Sequence, residues 1–134
     1  MIFYLEFRNG RQRLGFVGSG RATWLERRQD RGEFAALAAA GRRFGLARHR
    51  PTVVVAAVFP QGAPDVSWST VRAAVAMANA LAFAWGVPAV GTNPDGLDDE
   101  ALLKAVRAAA KKARRGARLS ARYSGEPHIT KPKK

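Results

Sequence analysis

The acidic and histidine side chains are the first candidates for chemistry, and they do not form a catalytic set. Glu6 and Asp65 are the carboxylates that neighbouring strand ends would bring closest together. A two-metal nuclease needs several converging acids, and Arg8 beside Glu6 disfavours a bound cation. His49 and His128 have no ligand partner at helical or strand spacing. We therefore expect no catalytic residue, no metal site and no cofactor.

Arg72 and the tryptophans are the other side chains that could contact a ligand. Arg72 is the only basic residue between residues 51 and 97, and it falls where a helix should begin. A cation there opposes the helix dipole, so it is either an anchor for a carboxylate or phosphate or an ordinary surface arginine. Trp24, Trp68 and Trp85 could stack on nucleobases. Trp85 is better interpreted as core, and Trp68 as an interface or turn anchor.

The charge is strongly basic and unevenly distributed. The chain has 134 residues and a formal net charge of +13, yet residues 51–97 are nearly neutral, and eight basic residues without an acid lie between 104 and 122. Such asymmetry favours an anionic partner such as nucleic acid, although the same residues could simply solvate a helix. The candidate nucleic-acid-binding residues are Lys104, Arg107, Lys111, Lys112, Arg114 and Arg115.

Three absences bear on location. The sequence contains no cysteine, which excludes disulfides and thiolate metal sites and suits a reducing compartment. The first residues resemble no signal peptide. The uncharged run 73–90 is interrupted by Asn79, Gly86 and Pro88, so it predicts a buried helix and a strand, not a membrane span. We expect a cytoplasmic protein without membrane association.

The opening of the chain predicts a three-stranded meander. Residues 2–8 form an apolar, aromatic-rich run that predicts the first strand, and residues 12–17 and 21–27 are expected to form the next two, separated by the turn Gly18-Ser19-Gly20. Asn9-Gly10 predicts a type I′ turn, in which both residues take positive φ angles.

The rest of the chain predicts two αβ units and a last helix. Helices are expected over 32–44, from 67 to 85 and from 98 onward, with strands at 52–59 and 87–90. The first helix should face the core with Phe34, Leu37, Ala38 and Gly41, and the alanine-rich second helix should pack on two sides. The order βββαβαβα predicts an α/β domain with a mixed five-stranded sheet and helices on its faces, as in ribonuclease H. This lobe should occupy 1–116, followed by a basic tail over 117–134.

The stretch SWSTVRAAVAMANALAFAWGVPAVG, residues 67–91, resembles the signature of the bacterial TsaB (YeaZ) family. That signature is Gly-Pro-Gly-Ser-Phe-Thr-Gly-Leu-Arg, followed by a small-residue helix. Ser67 and Arg72 match it, and Trp68, Ser69 and Val71 stand for Phe, Thr and Leu. The signature glycines are replaced by Pro64, Val66 and Thr70, which argues against a phosphate-cradling loop.

The resemblance implies a short, single-lobe form of a ribonuclease-H-like fold of the actin–hexokinase type. It also implies a non-catalytic subunit of the tRNA threonylcarbamoyladenosine system. Such a subunit pairs through helices with the catalytic subunit TsaD, sometimes with the ATPase TsaE, and meets tRNA directly or through the complex. It could also form a homodimer when alone. The alternative is a stand-alone RNA- or ribosome-binding basic domain. The residues expected at the partner interface are Phe34, Leu37, Trp68, Arg72, Ala76 and Ala80.

Overall fold

A computed structural model describes residues 1–45 and 48–120 of the chain. The strands are β1 (Ile2–Arg8), β2 (Arg11–Val17), β3 (Ala22–Arg27), β4 (Val53–Ala57) and β5 (Ala89–Thr92), and the helices are α1 (Glu33–Phe44), α2 (Trp68–Trp85) and α3 (Asp99–Lys111). Their order, βββαβαβα, confirms the predicted succession of elements.

The strands form one mixed sheet in the order β3-β2-β1-β4-β5. β1 is central, antiparallel to β2 and parallel to β4, and β5 continues the parallel half. Residues Phe3 to Phe7 of β1 are all buried, because both faces of the central strand are covered. The α/β class and the mixed five-stranded sheet predicted from the sequence are therefore confirmed.

Two helices cover one face of the sheet and one covers the other. α1 packs on β2 and β3, and α2 packs on β4 and β1, over a core that includes Phe3, Leu5 and Phe7. α3 covers the opposite face with Leu102 and Val106. Because α1 and α2 lie over different strands, a gap remains between them.

The predicted inner side of α1 is wrong for Phe34 and Ala38, whereas Leu37 is partly buried and packs against the core. The buried residues are Ala36 and Ala40, whereas the Phe34 side chain is 81% exposed and Ala38 is also exposed. Alanines let the helix backbone approach the sheet closely. The larger Phe34 and Leu37 are consequently turned toward the gap beside α2.

The β1–β2 turn also differs from the prediction. Of the two turn residues, Asn9 and Gly10, only Gly10 has a positive φ, of 71°, so the turn is not type I′. Asn9 is tied to the start of α2 instead: its backbone N–H donates to the carbonyl of Asp65 at 2.6 Å, and its side-chain oxygen accepts from the Thr70 hydroxyl at 2.7 Å. These bonds hold Asn9 outside the left-handed region that a type I′ turn requires.

The sheet has two distinct ends, which we call upper and lower. β1, β3, β4 and β5 run in the same direction, and their carboxyl ends define the upper end. The turn at Asn9 and the start of α2 meet there. The amino ends of these strands define the lower end, where the Thr52 N–H donates to the Met1 carbonyl at 2.8 Å.

The residues that follow α3 return along β5. The Ala89 N–H donates to the Ala117 carbonyl at 3.0 Å, and the Asn79 amide both donates to and accepts from the backbone of Leu119. The tail predicted over 117–134 is described only as far as Ser120, and 121–134 lie outside the described residues. Within the described chain, no helix combines the length and apolarity needed to cross a membrane.

Candidate functional site

A groove of about 1210 Å³ runs between α1 and α2, on the face of the sheet that these two helices cover. Phe34 and Leu37 form its α1 wall, and Ala76, Met77 and Ala80 contribute to its α2 wall. Toward the sheet the groove ends at the buried core. Ala36 and Ala40 lie on the side of α1 that faces the sheet. The groove is therefore apolar and open to solvent.

The outer face of α2 continues this apolar surface. One stripe of exposed positions at spacings of three or four residues comprises Trp68, Arg72, Ala76, Ala80 and Phe83. Only one of them is charged, and the Phe83 side chain is 78% exposed. A helix face open to water normally carries charged residues. An almost uncharged face over an 18-residue helix is a feature of protein–protein contact surfaces.

The upper end of the groove is polar. Ser67 caps α2 by accepting a hydrogen bond from the Thr70 N–H at 3.3 Å, and its hydroxyl also lies 2.8 Å from the Thr70 hydroxyl. Arg8, Asn9 and Ser69 complete this rim. The hydroxyls bond to one another and to Asn9, so side chains occupy the start of the helix.

The structure brings most of the predicted interface residues together. Phe34, Leu37, Ala76 and Ala80 line the groove, and Arg72 lies exposed on the first turn of α2. Arg72 forms no ion pair with the described carboxylates. Two further groove residues, Met77 and Leu81, and the exposed Phe83 were missed. Their spacing along α2 was visible in the sequence, but it gave no sign of which side would face the gap.

Glu6 is held inside the protein by its neighbours on β1. Its carboxylate accepts from the Tyr4 hydroxyl at 2.8 Å and from Arg8 Nε at 3.0 Å, and the residue is 4% exposed. Arg8 also lies over the Phe59 ring, 4.5 Å from its centroid. Burial, followed by the nearby Glu6 charge and the hydrogen bond, raises the pKa of Tyr4 well above its usual value. Tyr4 therefore remains a neutral donor to Glu6.

We expect Tyr4→Phe to change both the stability and its alkaline pH dependence. Near pH 7 the variant loses a hydrogen bond to a buried carboxylate, a loss of about 1 to 3 kcal/mol. A raised folded-state pKa gives stability that is complete below the unfolded pKa and is lost as pH rises. The wild type should therefore lose its advantage above pH 10, by about 1.4 kcal/mol per pH unit. Urea unfolding of both proteins from pH 7 to 11 measures this, and parallel curves would contradict it.

A second polar cluster extends from Arg13 of β2. Arg13 Nε donates to Glu26 at 2.7 Å, its Nη1 lies 3.3 Å from Asp99 of α3, and its guanidinium lies 5.3 Å from the Trp24 ring centroid. The hydrogen bond from Arg13 lowers the pKa of Glu26. Trp24 is thus used for packing within the fold.

The carboxylates do not form a nuclease or metal centre in the described part of the chain. Asp65 lies exposed in the loop before α2 with a positive φ of 58°, while Glu6 is engaged by Tyr4 and Arg8. No group of three or more His, Asp or Glu side chains among the described residues could hold a metal ion. His49 is exposed, and His128 lies outside the described residues.

The predicted nucleic-acid-binding residues divide into two groups. Lys104 and Lys111 are exposed on α3, but Arg107 is partly buried and donates to the Gly18 carbonyl through Nε at 3.4 Å and Nη2 at 3.1 Å. The remaining residues lie exposed beyond the carboxyl-terminal end of the helix and comprise Lys112, Arg114 and Arg115. Whether these residues contact nucleic acid stays a prediction.

Solved structures with the same fold include two chains from Pseudomonas aeruginosa. YeaZ from Pseudomonas aeruginosa superposes with a TM-score of 0.54 and 16% sequence identity, over 69% of this chain and 43% of that one. A Pseudomonas aeruginosa protein described as uncharacterized, with similarity to peptidase YeaZ, gives a TM-score of 0.53 and 14% identity, over 69% and 42%. No protein-family model and no curated protein sequence matches the chain.

The likeness to YeaZ is therefore one of fold. The chain has a TsaB/YeaZ-like arrangement of the ribonuclease-H-like class, as the resemblance of residues 67–91 predicted. It spans less than half the length of either matching chain.

Proposed function

We propose that this chain is a non-catalytic assembly subunit that binds the helices of a TsaD-like catalytic subunit in threonylcarbamoyladenosine modification of tRNA. The observation that supports this most strongly is the continuous apolar surface formed by the groove and the outer face of α2. The TsaB/YeaZ-like fold supports the choice of partner. A TsaE-like ATPase would join the same assembly.

The shape of the groove favours a helix as its occupant. An α-helix with side chains is a cylinder about 10 Å wide that rises 1.5 Å per residue. A volume of about 1210 Å³ therefore accommodates roughly ten residues of such a helix. The outer face of α2 would add to the contact, and a stable interface covers ~800 Å² per partner. A helix laid between α1 and α2 would complete a layer that the fold leaves open.

The chemistry of the upper end supports a non-catalytic role. A phosphate loop leaves backbone N–H groups open to the ligand, but here hydroxyl side chains occupy the start of α2. The carboxylate of Glu6 is already bonded to Tyr4 and Arg8. Catalysis in the assembly would accordingly belong to the partner.

The test is to mix the purified chain with the TsaD-like subunit of the same organism. We expect a 1:1 complex in gel filtration and by calorimetry, and we expect the modification of a tRNA transcript to require both proteins. Absence of a complex, with tRNA modification proceeding equally well without this chain, would refute the proposal. Exclusive self-association through the same face would assign the groove to a second copy.

The stand-alone RNA- or ribosome-binding domain remains the second candidate. It differs from the first in needing no protein partner for its activity. Binding to ribosomes or RNA that is unaffected by substitutions in the groove, together with failure to bind the TsaD-like subunit, would favour it.

A further inference from the structure

Charge is segregated along the direction of the strands. Every acidic residue in the described part of the chain lies in the upper half, on the upper ends of β1 and β3, in the loops that follow β3, β4 and β5, and in the first turns of α1 and α3. All four ion pairs found among the described residues lie there as well. The lower end contains no described acid.

The lower end is built from three basic segments that are distant in sequence. The β2–β3 turn contributes Arg21, the segment between α1 and β4 contributes Arg48 and Arg50, and the segment after α3 contributes Arg114 and Arg115. All five are exposed. The last turn of α1 adds Arg42 and Arg43 to the same end, and the last turn of α3 adds Lys111.

Hydrogen bonds anchor two of these segments to the rest of the fold. Arg107 of α3 donates to the carbonyl of Gly18 in the β2–β3 turn, and Arg118 donates to the Val87 carbonyl at 3.1 Å. A cleft of about 570 Å³ opens between the segments, with apolar side chains such as Val17 and Val53 in its lining and Lys111 beside them. The lower end therefore combines a cleft lined by Arg107 and Lys111 with exposed arginines on the same end of the sheet.

We infer that this lower end binds the phosphate backbone of a nucleic acid, without reading its sequence. Cations that contact phosphates displace the counterions condensed on the nucleic acid. Arginine dominates the surface, and its forked guanidinium matches two phosphate oxygens. No described acid lies there to repel the backbone. The surface differs from the α3 face expected from the sequence, because Lys104 lies outside it and Arg107 is engaged by Gly18.

An anionic membrane is a weaker candidate for the same charge. Helices that bind membranes present an apolar face to the lipid opposite their basic one. The apolar face of α3, with Leu102 and Val106, is already buried against the sheet. The inference does not depend on the partner proposed for the groove, because the groove lies between α1 and α2 and is a different surface.

The test compares pairs of arginine-to-glutamine variants that remove equal charge. Two variants change the lower end: one combines Arg114→Gln with Arg115→Gln, and the other combines Arg42→Gln with Arg48→Gln. A third variant changes the upper end and combines Arg11→Gln with Arg28→Gln. Binding to a fluorescent RNA hairpin, and to a DNA hairpin of the same sequence, is titrated from 50 to 300 mM salt. Circular dichroism checks the fold of each variant.

Each lower-end pair should flatten the log–log salt slope by about 1.4 to 1.8, because each lost phosphate contact removes about 0.7 to 0.9. The upper-end pair should leave the slope unchanged. The RNA and DNA arms identify which backbone is preferred. Equal losses for all three pairs would reduce the effect to net charge and overturn the inference. Sedimentation with phosphatidylserine vesicles, without binding to either hairpin, would overturn it as well.

Discussion

Replacing Ala80 by glutamate is expected to abolish binding to the TsaD-like subunit. Ala80 lies exposed in the α2 wall of the groove, where a partner helix would cover it. A carboxylate buried there without a partner costs about 3 to 5 kcal/mol, which corresponds to a loss of affinity of more than 100-fold. Ala76→Glu, one helical turn away on the same face, should have a similar effect.

The fold should tolerate the substitution, because glutamate forms helices nearly as well as alanine and residue 80 faces solvent in the free chain. Ala108→Glu supplies the matched control, since Ala108 is exposed on α3 over the opposite face of the sheet. Calorimetry should find the control at wild-type affinity. If Ala80→Glu and Ala76→Glu both bind as tightly as the control, the interface lies elsewhere.

Gly15→Ala is expected to cost a large part of the stability of the domain. Gly15 of β2 pairs with Trp24 of β3 and Tyr4 of β1. A Cβ atom at residue 15 would overlap the Thr23 carbonyl oxygen and lie 2.7 Å from the Trp24 ring. The missing side chain lets Trp24 lean across β2 and contact Tyr4 edge to face, with ring centroids 5.7 Å apart.

The substitution must either separate β2 from β3 or displace Trp24, at a cost of about 3 kcal/mol. For a domain of this size, the melting temperature should fall by about 10 °C. Gly20→Ala is the control, because a Cβ there would meet nothing within 4 Å. Differential scanning calorimetry of both variants measures the difference, and equal melting temperatures would show that the β2–β3 pairing can adjust.

The features of the fold that could be predicted from the sequence are those whose signals lie within a few neighbouring residues. The strand and helix succession was readable because β-branched runs, caps and glycines act on their own neighbours. Ser67 does cap α2, and Gly86 ends it with a φ of 67°. The type I′ turn failed because the tertiary bonds of Asn9 to Asp65 and Thr70 decide its backbone angles, and these contacts span more than 50 residues.

The site was only partly predictable for a related reason. Phe34 and Leu37 were expected at the interface and also on the inner side of α1, and the periodicity alone did not distinguish the two positions. Ala36 and Ala40 face the sheet because small residues give the closer packing, which only the assembled sheet determines. Likewise, the basic lower end joins Arg21, Arg48 and Arg114, which no window of the sequence shows together.

The separation of charge between the two ends also makes the molecule a permanent electric dipole, with its positive pole at the amino ends of the parallel strands. In the field of a polyanion such a molecule rotates before it arrives, so collisions are pre-oriented and association accelerates at low ionic strength. The Debye length of about 8 Å at 0.15 M salt confines this guidance to the final approach. A chain captured by its positive pole leaves its opposite pole directed outward, and the long side of α2 stays open to a second encounter.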